Sequence, residues 1–218
     1  MTALVRYTLA GLGASQRYLP PALLFVISVV ALTSGGPASL VPSYSVGALA
    51  QFICMTWLTV VLVNAEDPVQ RAMTTVAAQG SHRVLFASVW AALLVSVTLA
   101  VFGLTYPIAV GAHPVTASAV GAGVVAQLTG GLCGIAIGLL CSRLVVPRSG
   151  YALFAAVGLV LVVVLVPWVP PLNPMMRILS GNPGTDDLLA PLGINAGISV
   201  AILAASMALT QNIAERHS

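Results

Sequence analysis

The sequence predicts an all-α integral membrane protein with six transmembrane helices, and three observations carry that prediction. Only 6% of the 218 residues are charged while 59% are hydrophobic, where a soluble domain of this size carries about a quarter charged residues. So few charges cannot cover a water-facing surface, and most of the solvent must therefore be lipid. Six runs reach the roughly 20 apolar residues that a span needs: 19–35, 44–64, 84–106, 116–141, 151–168 and 191–212. The arginines are also distributed asymmetrically between the segments that join these runs. With the N-terminus in the cytoplasm, Arg6, Arg17, Arg71, Arg83, Arg143, Arg148 and Arg216 are all inside and only Arg177 is outside. That is the positive-inside pattern, and an even number of spans returns the C-terminus to the cytoplasm. The chain reads as one transmembrane domain, 1–218, with no repeat and no low-complexity tract.

Residues 2–17 come before the first run. At 100° per residue Arg6 and Arg17 share a face, and Leu4, Val5, Leu9 and Leu12 lie opposite. This pattern predicts an amphipathic helix in the cytoplasmic interface. The apolar run that follows is expected to be a retained anchor and not a cleaved signal, because the polar lead-in is long and itself partly apolar. Pro20 and Pro21 suit the first turn of the first span.

Between the second and third runs lies an unusually polar connection, residues 65–83, reading AEDPVQRAMTTVAAQGSHR. Asp67 suits an N-cap, Pro68 the first helical position and Gln70 the position three residues after the cap. Gly80 is expected to stop the helix, which then spans 68–79, about 18 Å at 1.5 Å per residue. Val69, Ala72, Met73 and Val76 fall on one face, with Gln70, Arg71, Thr74, Thr75 and Ala78 around the rest. A connection between neighbouring spans needs only a few residues. The spacing leaves two readings open: a docking element for a soluble partner, or an interfacial helix with its stripe in the bilayer.

In the fourth run Gly130, Gly134 and Gly138 recur every four residues, a stripe that lets helix backbones approach closely in lipid. Packing within the protein is favoured over a pore, and a dimer seam is the alternative. In the outer segment, 169–190, Asn173 and Pro174 form an N-cap and first-turn pair for a short helix through Met175 and Leu179 that stops at Gly181. Thr185, Asp186 and Asp187 suit the start of a second short helix.

The inventory of side chains excludes several chemistries. Eight arginines and no lysine rule out a Walker phosphate loop and Schiff-base catalysis. The arginines are scattered, so no nucleic-acid face forms. His82 and His217 are assigned to one side and His113 to the other, so no metal set is expected. Cys54, Cys133 and Cys141 lie in apolar runs without a CxxC pair and read as packing residues. No ionisable group sits inside a span, as a proton pump usually needs. The chain is not expected to be an enzyme. Among the polar residues of the spans, Gln51 falls in the outer third of the second, Gln127 near the middle of the fourth, and Asn195 opens the sixth. A neutral amide in lipid usually bonds to a neighbouring helix.

The stretches SQRYLPPALLF, AEDPVQRAMTTVAAQGSHR and PWVPPLNPMMRIL, together with the span count and cytoplasmic termini, resemble the permease subunit of bacterial ABC exporters of the type-2 permease family, as found in actinobacteria. The resemblance covers nearly the whole chain. It implies that the first cytoplasmic loop is a coupling helix seated on a separate ABC ATPase subunit. Glu66, Asp67, Gln70, Arg71, Met73 and Thr74 would then be candidates for contacts with that subunit. It implies a second permease chain, identical or not, and a substrate path lined by the second and fifth spans, with Gln51 and Trp57 as candidates to meet substrate. No cofactor is expected on this chain; ATP and Mg would belong to the ATPase. The expected location is the bacterial cytoplasmic membrane. The competing readings are a secondary carrier or channel that needs no ATPase, and a non-transporting scaffold or immunity protein.

Overall fold

A computed structural model describes residues 2–34, 40–65, 68–110, 115–142, 149–166, 168, 170–180 and 189–216. The described residues form helices only: α1 (Thr2–Ser15), α2 (Leu19–Ser34), α3 (Leu40–Val63), α4 (Pro68–Ala77), α5 (Ser81–Val110), α6 (Ala117–Leu140), α7 (Ser149–Leu165), α8 (Leu172–Ser180) and α9 (Leu189–Arg216). Four of them, α3, α5, α6 and α9, are long and apolar enough to cross a bilayer, and α1 with α2 makes a fifth if that bent pair counts as one span. The stretch Phe154–Leu165 of α7 is apolar but shorter. The chain is therefore a multi-pass, membrane-compatible helical protein. At 30 residues, α5 reaches about 45 Å, so its ends project beyond a hydrocarbon core of about 30 Å.

The bundle is organised around α3 and α6, which run parallel to each other along their whole length. The register is set by glycine. A Cβ at Gly123 would meet the Tyr44 ring, one at Gly134 would lie 2.6 Å from the Phe52 carbonyl oxygen, and one at Gly138 would lie 2.5 Å from Thr59 Cβ. At Gly130 the Ala48 carbonyl oxygen occupies the place a side chain would take. The Gly130, Gly134 and Gly138 stripe thus packs against the backbone of α3 inside this chain. Lipid offers no hydrophobic drive for helices to associate, so such close backbone contact is a main source of attraction.

Helix α5 runs back antiparallel in the groove beside them, with Ser96 against Gly131 and Leu104 against Gly123. Helix α9 lies on the other side of α6 and parallel to it. Its Leu192 joins a cluster with Ala48, Leu172 and Met175, while its Leu203 joins one with Leu58, Leu62, Leu85 and Leu139. Leu192, Asn195, Ser199, Leu203, Ser206 and Thr210 form the buried seam of α9. Their spacing of three and four residues keeps one narrow stripe facing inward. The polar members satisfy themselves: Asn195, Ser199 and Thr210 each donate to the carbonyl four residues earlier, at 3.0, 2.8 and 2.7 Å. Helix α7 packs loosely, and Tyr151, Phe154, Val157, Leu161, Val162 and Leu165 point outward.

Several expectations need correction. Helix α3 starts at Leu40 and not at residue 44, with Pro42 accommodated in its first turn. Gln51 is therefore at the middle of the helix and not in its outer third. Helix α5 continues through Pro107 to Val110, past the expected 106. Helix α9 begins at Leu189, which puts Asn195 in its second turn. The N-terminal helix stops at Ser15, since Gln16 adopts φ of 52°, and the chain then bends by 81° into α2. Its apolar side, Leu12 with Val5 and Leu9, packs on the start of α5 and the end of α3, while Arg6 and Arg17 are exposed.

Helix α8 also differs from expectation. It begins at Leu172, so Asn173 is inside it and does not cap it. The Asn173 amide donates instead to the carbonyls of Val163 and Val166, at 2.6 and 2.7 Å. It closes the end of α7, where the last carbonyls have no partner in their own helix. Leu172, Met175 and Leu179 are the buried face of α8. The expected stop at Gly181 and the second start at Thr185, Asp186 and Asp187 lie outside the described residues.

Candidate functional site

Helix α4 is the element that the bundle does not absorb. It joins the ends of α3 and α5, and its ten residues, PVQRAMTTVA, bring two distinct faces to the surface. The sequence pattern predicts an apolar stripe, and that stripe points away from the protein: Val69 is 64% exposed, Met73 68% and Val76 81%. The polar face turns inward. Gln70 Nε2 donates to the Tyr7 hydroxyl of α1 at 2.8 Å, and Arg71 Nη1 donates to the Val63 carbonyl at 3.2 Å. A cation at the C-terminal carbonyls of α3 also favours the negative end of that helix dipole. Thr74 and Thr75 bond back to carbonyls of their own helix.

The far end of α4 is closed by backbone geometry. Gln79 N–H donates to the Val76 carbonyl and Gly80 N–H to the Thr75 carbonyl, both at 3.1 Å. These paired bonds are a Schellman motif. The helix therefore ends at Ala77, two residues before the expected Gln79. Gln79, with φ of 58°, takes the left-handed position, and Gly80 at φ of 152° follows it. The glycine does assist the stop, but one residue later in the motif than expected. Arg83 Nη1 then donates to the Ala78 carbonyl and to Gln79 Oε1, at 3.2 and 3.3 Å. Of the six residues proposed for partner contact, Met73 is the most exposed apolar one, Gln70 and Arg71 are engaged with the bundle, and Thr74 is half-buried. Glu66 and Asp67 lie outside the described residues.

The two residues proposed for the substrate path do not share a surface. Trp57, 42% exposed, lies in a groove of about 430 Å³ between α3 and α7, beside Ile53, Thr56, Ala156, Val160 and Leu161. The lining is nearly all apolar. Gln51 points the opposite way, toward α5 and α6. Its Nε2 donates to the Ser96 carbonyl at 3.0 Å and to Ser96 Oγ at 2.9 Å.

Gln51 belongs to a polar layer that the sequence shows only as separate residues. Gln127 enters the same three-helix junction from α6, one turn away, and its amide lies against Gly47 and Gly103. A Cβ at either glycine would sit 2.6 or 2.5 Å from Gln127 Nε2. Both glutamines are fully buried. Gln51 Oε1, both polar atoms of Gln127 and the Tyr44 hydroxyl have no hydrogen-bond partner within the protein. Leaving such a group unpaired costs about 1–3 kcal/mol. The signal in sequence was the i, i+4, i+8 spacing of Gly123, Gln127 and Gly131 against Tyr44, Gly47 and Gln51. It becomes legible only once α3 and α6 are known to be parallel.

Among the described residues, no three His, Cys, Asp or Glu side chains come together as a metal site would need. The three cysteines are buried and free. Comparisons with protein-family models, curated proteins and solved structures give no match.

Proposed function

We propose that this chain is the permease subunit of an ABC exporter, with α4 as the element that receives work from a separate ATPase. In this reading the chain spans the bacterial cytoplasmic membrane six times, α2 and α7 serving as the first and fifth spans, and both termini are cytoplasmic. A second permease chain completes the path, and ATP and Mg are bound by the partner. The observation that carries the reading is the orientation of α4. A helix that only linked two spans would need neither a closed end nor hydrogen bonds that tie its polar face to α1 and α3. This one holds Val69, Met73 and Val76 outward on a fixed base, as a docking helix must. The apolar groove beside Trp57, between α3 and α7, supports a path for hydrophobic cargo along the second and fifth spans.

The working step is a linkage. Nucleotide-driven closure of the partner must favour one arrangement of the spans over the other, and α4 transmits that preference through its bonds to Tyr7 and Val63. The experiment is purification of the chain from its native membranes with its bound proteins. An ATPase subunit is expected to co-elute. Replacing Met73 and Val76 together by Asp should abolish that co-elution while membrane insertion and yield stay unchanged. Arg71→Ala is the less direct variant, because Arg71 also holds α4 against α3. Undiminished co-elution of the Met73/Val76 variant would sink the docking role. Transport by the isolated chain without any ATPase would favour a secondary carrier.

A further inference from the structure

We propose that the junction of α3, α5 and α6 is an internal hydration site, with water held between Gln51, Gln127 and Tyr44. Gln51, Gln127 and Ser96 sit at matching depths in the three helices, and Tyr44 lies about two turns toward the start of α3. Gln51 is the twelfth of the 24 residues of α3, Gln127 the eleventh of the 24 of α6, and Ser96 the sixteenth of the 30 of α5. In helices that cross a bilayer, this is the middle of the membrane. Gln51, Gln127 and Tyr44 are fully buried, so neither lipid headgroups nor bulk water reach them.

The chemistry of the unpaired atoms selects the ligand. Gln51 Oε1 and Gln127 Oε1 accept, Gln127 Nε2 donates, and the Tyr44 hydroxyl does both. A cation would satisfy the oxygens but would face the Gln127 amide hydrogens, and among the described residues no acidic cluster is present to neutralise it. An anion would satisfy the donors and repel the acceptors. Water donates two bonds and accepts two, and buried water typically makes about three bonds to groups of this kind. Turning the Gln51 amide over does not remove the need, because it would set the Gln51 oxygen against the Ser96 carbonyl oxygen and leave Nε2 without an acceptor in place of Oε1. Gly47 and Gly103 make room for the Gln127 amide. Small residues there would let α3 and α5 close on each other if the site held only apolar groups, so the amide and its water act as a spacer between them.

The test uses the full-length chain in detergent or nanodiscs. X-ray radiolysis in heavy-oxygen water labels side chains beside bound water, including buried ones. Tyr44 is expected to take up the label well above Phe52, which is equally buried two turns along α3. The label should be lost in Gln127→Met, which keeps the side-chain length and removes both polar atoms. The same variant should melt at a lower temperature than the wild type, because it takes partners away from bound water. Labelling of Tyr44 no greater than that of Phe52 overturns the proposal whether or not the variant folds. A higher melting temperature for Gln127→Met also overturns it, since that is the result for a dry junction relieved of orphaned atoms.

Discussion

Asn173 shows how one amide can bind two elements. Its Nδ2 satisfies two carbonyls at the end of α7 from inside α8, and a net hydrogen bond is worth about 0.5–1.5 kcal/mol. Asn173→Ala is therefore expected to cost about 1–3 kcal/mol. At roughly 2–4 °C per kcal/mol for a chain of this size, the loss will register in a thermal melt. An unchanged melting temperature would mean that water replaces the amide. The residue type and its Pro174 neighbour were visible in the sequence, and both suggested a cap. What could not be read was which helix is capped, because the acceptors are backbone atoms whose position depends on how the chain turns after α7. Gln51 follows the same logic. Its burial among spans was legible, but its partner Ser96 is 45 residues away and no local pattern names it.

At the scale of the element, the seam between α3 and α6 and the surface of α4 make opposite predictions. Gly130→Ala places a methyl group against the Ala48 carbonyl oxygen. Backbone cannot rotate away as a side chain can, so the helices must separate. Overpacking of this kind costs about 1–3 kcal/mol. Gly158→Ala on α7 is the control, because a Cβ there has no neighbour within 4 Å and alanine favours the helix by up to about 1 kcal/mol. A melt should show the first variant lowered and the second level or raised. On α4, Val76→Glu should leave the stability within the roughly ±0.5 kcal/mol typical of surface positions, since Val76 is exposed and touches no core cluster. A large loss of stability there would show that the bundle itself depends on that face. The helices were legible because 20-residue apolar runs leave few alternatives. The direction of α4 was not, because an amphipathic pattern says that two faces exist and not which one meets the protein. That was decided by Tyr7 and by the Val63 carbonyl, which lie in other elements.

For the whole molecule, the prediction concerns orientation. Six spans with cytoplasmic termini require the α4 end to face the cytoplasm and α8 to face outward. Ser81 and Ser180 are exposed at these two ends. With Cys54, Cys133 and Cys141 replaced by Ala, a membrane-impermeant maleimide applied to intact cells should label Ser180→Cys and spare Ser81→Cys. The reverse labelling would invert the topology, and labelling of both would break the even span count. The run of arginines that suggests this orientation could be read directly from the sequence.

The parallel arrangement of α3, α6 and α9 gives the molecule an electrical character. Each helix carries about half an elementary charge of opposite sign at its two termini. Neighbours that run the same way add these fields where antiparallel neighbours would cancel them. The layer of α3, α6 and α9 is thus polarised along its length, negative where α3 and α6 end at Val63 and Leu140, with antiparallel α5 offsetting part of that field. Arg71 and Arg83 sit on helix carbonyls at that same end. Both cations thus lie where that field is negative and offset part of it. A vibrational probe at position 142 and one at position 117 should sense potentials of opposite sign.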